Sequence, residues 1–340
     1  MITSHSELLT NQSLARDVMV RLGFIGPLES IQVKELSGGV SSTILEIEGS
    51  SGRYCLKQPL PLLKVAKLWA APVERVYAEI AWLELAGSII PGCAPKLRGV
   101  DKLTNSFVMS FLPPDDFPNW KAELLNGRVD PSFATLVAAK LVHIHARTAG
   151  QEKVCREFSN DDSFLSLRLD PYLLETARRH PSLATTLRAL VAHTQSQKRA
   201  LVHGDVSPKN ILVGAAGPVF LDAECACYGD PAFDVAFLLN HLLLKSVAVR
   251  DRSAILLDAF DAFRDSYLSG VTWEPRRNIE RRVATLLPAL TLARISGKSP
   301  VEYLTPPMRD AIAMIAATLV ATPPANLEAL KRLWKKGLGI

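Results

Sequence analysis

The chain has 340 residues, 48% hydrophobic and 21% charged, with 39 basic against 34 acidic side chains for a net charge of +5. That composition belongs to a globular protein with a sizeable core and room for two domains. The basic excess is small and scattered, which argues against a nucleic-acid footprint, and the C-terminal KRLWKKG reads as a solvated helix face.

The N-terminal stretch MITSHSELLTNQSLARDVM lacks the apolar core of a signal peptide, so the expected location is cytoplasmic. Residues 5–24 place Leu8, Leu9, Leu14, Val18, Met19 and Leu22 at helical spacing, which predicts an amphipathic helix. IQVKEL, STILEIE and RYCLKQ follow, punctuated by Gly38-Gly39 and Ser51-Gly52, the pattern of an antiparallel meander. A helix is expected from about Pro72 to Ala86, and then NSFVMSFL reads as a strand ending at Pro113-Pro114. The double proline is the expected boundary between a sheet-rich part, residues 1–112, and a mostly helical part, residues 113–340. In the second part FATLVAAKLVHIHA puts Phe133, Leu136, Val137, Leu141 and Ile144 on one helix face. ALVHG, NILV and PVFLDAE read as short strands within a long run of helices. FDVAFLLNHLLLK, the longest apolar run, is interrupted by Asp234, Asn240 and His241, so no membrane partner is expected. Five cysteines (Cys55, Cys93, Cys155, Cys225 and Cys227) show no metal-ligand or CxxC spacing and read as reduced core thiols.

The chemistry concentrates in LVHGDVSPKNILV, residues 201–213, where polar residues sit between two apolar runs. Phosphoryl transfer from ATP needs a carboxylate to orient the attacking hydroxyl and oxygen ligands for Mg2+ on the phosphates. Asp205, followed five residues later by Asn210, supplies both types, because magnesium prefers carboxylate and amide oxygens. Asp222, at the end of the apolar PVFLDAE, suits a second metal ligand; a helix cap or a buried salt bridge would also account for it. Glu224 lies two residues on, and on an extended chain it points to the same side, either completing the metal site or supporting it. In the first part, SGGVSST offers Gly38 and Gly39 for close backbone approach and Ser41 and Ser42 as donors to phosphate. Lys57 in RYCLKQ would grip phosphates, with Glu79 in RVYAEIAWLE as its ion-pair partner; each alone would be a surface residue. The order of these features along the chain makes them one signal.

HGDVSPKN and LDAECACYGDPAFDVA resemble the catalytic loop and metal segment of the aminoglycoside phosphotransferase (APH) and choline kinase superfamily. The resemblance spans roughly residues 37–240 and implies a protein-kinase-like α+β fold, with a small antiparallel-sheet lobe and a larger helical lobe. It also implies ATP and Mg2+ as cofactors and a small-molecule hydroxyl as acceptor, with no nucleic-acid partner, in a monomer or homodimer. By the same resemblance VMSFL is the hinge, with Met109, Ser110 and Phe111 at the adenine, while His203 and Asp234 support the loop. A protein kinase is disfavoured: Gly204 replaces the Arg of HRD, Ser207 stands where Lys is common, Asp222-Ala-Glu replaces DFG, and no APE follows.

LKQPLPLLKVAKLWAAPVERVYAEIAWL and DAECACYGDPAFDV are similar to the corresponding segments of methylthioribose kinases. RISGKSPVEYL resembles their late arginine segment, which makes Arg294 and Lys298 candidate substrate contacts. The chain departs from that branch in its Asn210 loop and in lacking paired arginines. The resemblance to methylthioribose kinases implies a sugar-like acceptor. The alternatives are an antibiotic phosphotransferase, which a dense acidic pocket would suit, and a silent nucleotide-binding pseudo-enzyme. RLDPYLLETARRH and RDRSAILLDAFDAFRDSY mix charges, as a pocket for a neutral or anionic substrate or a solvated helix face would.

Overall fold

The computed structural model describes residues 12–36, 39, 41–64 and 69–340. The chain divides into two compact units, Met1–Pro113 and Pro114–Ile340.

In the first unit α1 (Gln12–Arg21) precedes β1 (Gln32–Glu35), β2 (Ser42–Gly49) and β3 (Gly52–Pro59). These are followed by α2 (Arg75–Ile89), β4 (Leu97–Asp101) and β5 (Ser106–Ser110). The strands form an antiparallel five-stranded sheet in the order β1-β2-β3-β5-β4. Alternation in STILEIE and RYCLKQ sets the register: Leu45, Ile47 and Leu56 are buried with Val108, against Ala15, Val18 and Met19 of α1. Gly52, at φ +126°, turns the hairpin opposite Gly49. β4 was not legible in KLRGV, whose apolar residues do not alternate cleanly.

The second unit contains α3 (Trp120–Leu125), α4 (Pro131–Thr148), α5 (Glu152–Glu157) and α6 (Asp161–Phe164), then a π-helical segment, Leu165–Leu174. Next come α7 (Glu175–Arg179), α8 (Ala184–Ser196), β6 (Ala200–Val202), β7 (Ile211–Gly214), β8 (Gly217–Phe220) and β9 (Cys227–Gly229). It ends with α9 (Pro231–Ala248), α10 (Ser253–Ser269), α11 (Arg276–Ser296), α12 (Pro306–Ala321) and α13 (Leu327–Leu338). β6 pairs with β9 and β7 with β8, both antiparallel. α4 and α9 begin alike: Asp130 and Asp230 cap them through the amides of Ser132 and Ala232, each with proline at the first helical position.

Of the expected stripe on α4, Phe133, Val137, Leu141 and Ile144 are buried, joined by Ala134, Ala138, Val142 and His145, whereas Leu136 is 48% exposed. α9 has the length and composition of a membrane span, yet 94% of it is buried among its neighbours as a core helix. Cys55, Cys93, Cys225 and Cys227 are free and buried, and Cys155 is half-buried; burial pushes the Cys55 thiol up to about 12.

Candidate active site

The loop after β6 is fixed from α9. The carboxylate of Asp234, fully buried, accepts the amide protons of His203 at 2.8 Å and Gly204 at 2.9 Å. His203 Nδ1 accepts the Asp205 amide at 3.2 Å. Burial, opposed by the charges of Asp234, Asp205 and Asp222, lowers the His203 pKa and keeps the ring neutral at pH 7.

Gly204 adopts φ +80°, and a Cβ there would lie 2.7 Å from the Cys225 carbonyl oxygen and 2.8 Å from its Cβ. The Arg of a protein kinase cannot occupy this position, because the loop rests directly on the segment that carries Asp222. Gly204→Ala is expected to cost about 1–3 kcal/mol from backbone strain alone, with the overlap adding to it. Chemical denaturation reads this loss, and wild-type stability in that variant would refute the contact.

Asp205 is 5% exposed, and its Oδ2 lies 2.8 Å from Arg168 Nη2. Arg168 comes from the π-helical segment and also donates to the carbonyls of Gly204 at 2.7 Å and Leu167 at 2.7 Å. Burial disfavours the charged guanidinium, but Asp205 and Glu224 more than offset that and raise its pKa. Arg168 was missed in the sequence. The mixed charges of RLDPYLLETARRH suit either a pocket wall or a solvated face, and the segment splits between burial and solvent. Arg168 and Tyr172 are buried, whereas Asp170 and Glu175 hold Arg178 and Arg179 at the surface. Pro171 lacks an amide proton, and the wide π turn around it accommodates the gap.

Asn210 closes a short turn. Its Nδ2 donates to the Asp205 carbonyl at 3.1 Å, and its own carbonyl accepts the Leu221 amide at 2.9 Å. Asp222 lies beyond the end of β8 and has φ +67°, a left-handed conformation uncommon for non-glycine residues that aspartate tolerates better than most. Glu224 is buried, but the chain between it and Asp222 is not extended: Asp222 is left-handed and Glu224 begins a turn. The same-side argument for Glu224 therefore fails. Among the described residues no three His, Cys, Asp or Glu side chains converge as a metal cluster. The charges of Glu224, Asp205 and Asp222 nonetheless all reach the Cys225 thiol, whose pKa burial already raises. The Ser207 hydroxyl is buried without a partner in the same loop.

The first unit holds the remaining candidates. Lys57 Nζ lies 2.7 Å from Glu79 Oε1, and both side chains are 3% exposed. Lys57 is thus a buried cation on β3 rather than an edge lysine. Gly38 lies outside the described residues. At Gly39 a Cβ would meet the Ser42 carbonyl at 2.4 Å, so this turn admits only glycine. Ser41 and Ser42 are buried, and the Ser41 carbonyl accepts the Leu60 amide at 2.8 Å and Arg75 Nη2 at 2.6 Å. Arg75, 2% exposed, also holds the carbonyls of Leu60 and Pro72 and so braces the base of this turn. Met109 is buried between β3 and β4, and the Ser110 amide is donated to the Lys96 carbonyl at 2.9 Å. Phe111 lies under the Arg53 guanidinium, 4.3 Å from its ring centroid.

Arg294, in the last turn of α11, donates through Nη1 to the Tyr172 hydroxyl at 3.2 Å and to Ser299 Oγ at 3.0 Å. Lys298 sits 3.9 Å from Asp170, farther toward the surface. Arg294 is therefore linked to the segment that carries Arg168, while Lys298 faces an exposed ion-pair group.

The second unit thus carries a buried aspartate held by a guanidinium, and the first carries a buried lysine–glutamate pair on its small antiparallel sheet. The chain belongs to the phosphotransferase enzyme (APH) family, whose model matches residues 32–279. Methylthioribose kinase 1 of Oryza sativa subsp. japonica is 23% identical over 252 residues, covering 66% of this chain and 58% of that protein. Methylthioribose kinase of Yersinia enterocolitica is 25% identical over 247 residues, covering 64% and 61%. The chain thus spans about three fifths of the length of these curated relatives. The fold is similar to that of a choline/ethanolamine kinase family protein from Mesorhizobium loti, with TM-score 0.53, 18% identity and coverage of 99% and 98%. It is also similar to an amicoumacin kinase solved with AMP-PNP and Ca2+, with TM-score 0.56, 13% identity and coverage of 100% and 96%.

Proposed function

We propose that the protein transfers the γ-phosphoryl group of ATP to a hydroxyl of a small, sugar-like metabolite. The observation that carries this reading is the buried Asp205 carboxylate, fixed by Arg168 in a loop that also presents Asn210, with Asp222 following the end of β8. Asp205 orients the acceptor hydroxyl and receives its proton as the oxygen attacks. The Asp234 clamp on the His203 and Gly204 amides holds that carboxylate in place, so little reorganisation remains for the reaction itself.

The donor set suits Mg2+: an amide oxygen on Asn210 and a carboxylate on Asp222 are hard ligands, few enough to leave room for water and phosphate oxygens. Bound there, the ion neutralises charge on the phosphates. Glu224 supports the site through Arg168 and the segment after Asp222. Lys57, oriented by Glu79, grips phosphate, with the backbone around Gly38 and Gly39 and with Ser41 and Ser42; the strand at Met109, Ser110 and Phe111 meets the adenine. Methylthioribose kinases among the relatives support a sugar-like acceptor. An aminoglycoside is a poorer fit, because Asp161, Asp170 and Glu175 are engaged with Lys198, Arg178 and Arg179.

The test is an ATP-consumption screen with methylthioribose, other pentoses, ribose 5-phosphate, glycerate, amino alcohols and aminoglycosides, with and without a magnesium chelator. Turnover is expected with a sugar-like hydroxyl compound, abolished by chelation, and Lys57→Met is expected to lower kcat/KM for ATP about 10²-fold or more. Preferred turnover of an aminoglycoside would overturn the acceptor class. No turnover with any hydroxyl compound would favour a nucleotide-binding role without catalysis.

A further inference from the structure

Beside the catalytic loop, the second unit buries positive charge without matching negative charge. Lys245 on α9 is 1% exposed, and its ammonium lies 4.9 Å from the centroid of the Tyr303 ring. One turn earlier on the same helix stands His241, 6% exposed. Lys121 on α3 also approaches the Tyr303 ring, at 5.9 Å, and Arg294 on α11 is near enough to act electrostatically on both Lys245 and Tyr303. Among the described residues, Glu302 is the one carboxylate that acts on Lys245, and it is exposed and tied to Lys121.

Two polar atoms in this cluster are buried with no partner: the Tyr303 hydroxyl and Arg294 Nε. Burial first, and then Lys121 and Arg294, push Lys245 down to about 7. Burial and the same cations, Lys245 included, hold His241 well below its usual value, so it is neutral. A folded chain keeps such a group only against a free-energy cost, since an uncompensated buried cation is unfavourable and an apolar side chain of equal volume is not.

The cluster adjoins Asp205 through two elements. Tyr172, which accepts from Arg294, is one turn beyond Arg168 on the π-helical segment. Asn119, the cap of α3, donates to the carbonyl of Lys209 at 2.6 Å, inside the loop between Asp205 and Asn210.

We propose that Lys245, Arg294, Lys121 and the Tyr303 hydroxyl form an oxyanion site, and that the acceptor carries a carboxylate or phosphate ester besides its reacting hydroxyl. The proposal deepens the kinase reading and rests on it for the word acceptor; the anion site itself stands apart from turnover. The bound oxyanion supplies the missing negative charge, accepts from Tyr303 and the guanidinium, and restores the proton to Lys245. Neutral sugars and cationic amino alcohols lack this partner.

Calorimetric binding to the full chain without ATP tests the site, with the matched pairs ribose and ribose 5-phosphate, and glycerol and glycerate. At least one anion is expected to bind about tenfold or more tightly than its neutral counterpart; the two pairs separate a phosphate ester from a carboxylate. At about pH 8 that binding takes up protons, read from the dependence of the heat on buffer ionisation, because the anion raises the Lys245 pKa. Lys245→Met is expected to remove the preference and the proton uptake, to raise Tm, and to leave the KM for ATP unchanged; Lys245→Arg is expected to retain the preference. Equal binding within both pairs, or a preference that survives Lys245→Met, would overturn the proposal. Anion binding that persists where no acceptor is phosphorylated would instead count against the kinase reading.

Discussion

Asp205→Asn is expected to reduce turnover about 10²–10⁴-fold while leaving ATP binding intact. The amide keeps the size of the carboxylate but cannot take the proton of the attacking hydroxyl. The change also removes the negative charge that compensates Arg168, 2.8 Å away and equally buried. A loss of stability therefore accompanies the loss of turnover, approaching the roughly 3–5 kcal/mol of a broken buried pair, less what the retained hydrogen bond preserves. Turnover measured well below the variant's own Tm, beside ATP binding by calorimetry, separates the two effects. Near-normal turnover in a folded variant would sink the role given to Asp205.

Arg168→Met is expected to be as damaging by a different route. It leaves the Asp205 carboxylate buried without its partner, at a cost of about 3–5 kcal/mol, and frees the Gly204 carbonyl that Arg168 Nε holds at 2.7 Å. The sharper measurement is the double variant Arg168→Met with Asp205→Asn. Removing both charges abolishes the unpaired ion, so the combined loss in denaturant unfolding should fall short of the sum by about 1–3 kcal/mol. Strictly additive losses would show that the two side chains do not depend on each other.

Much of the candidate site was legible because its residues are local in the chain. HGDVSPKN places Asp205 and Asn210 within one loop, and Lys57 and Glu79 sit on a strand and a helix that periodicity alone suggests. Arg168 was not legible because its meaning depends on Gly204 and Asp205, far along the chain, and on a π turn that no helical template predicts. The same-side placement of Glu224 with Asp222 did not hold for a related reason. The period-2 rule assumes an extended backbone, and Asp222 turns left-handed. Leu136 shows a smaller limit, since it is exposed although the other four residues of its expected stripe are buried. β9, three residues long, offered too little pattern to separate it from a turn, and its pairing with β6 emerges only when the chain returns.

The close seating of Gly204 on Cys225 bears on how such a site diversifies. With no spare volume between the loop and the segment behind it, even one added methyl group is rejected there, so mutational drift is confined to the surrounding helices. On the reading proposed above, variation in the acceptor would fall on α3, α11 and the turn at Tyr303, outside the loop that carries Asp205, and the closed seat and the open surroundings would then divide conservation of chemistry from change of acceptor.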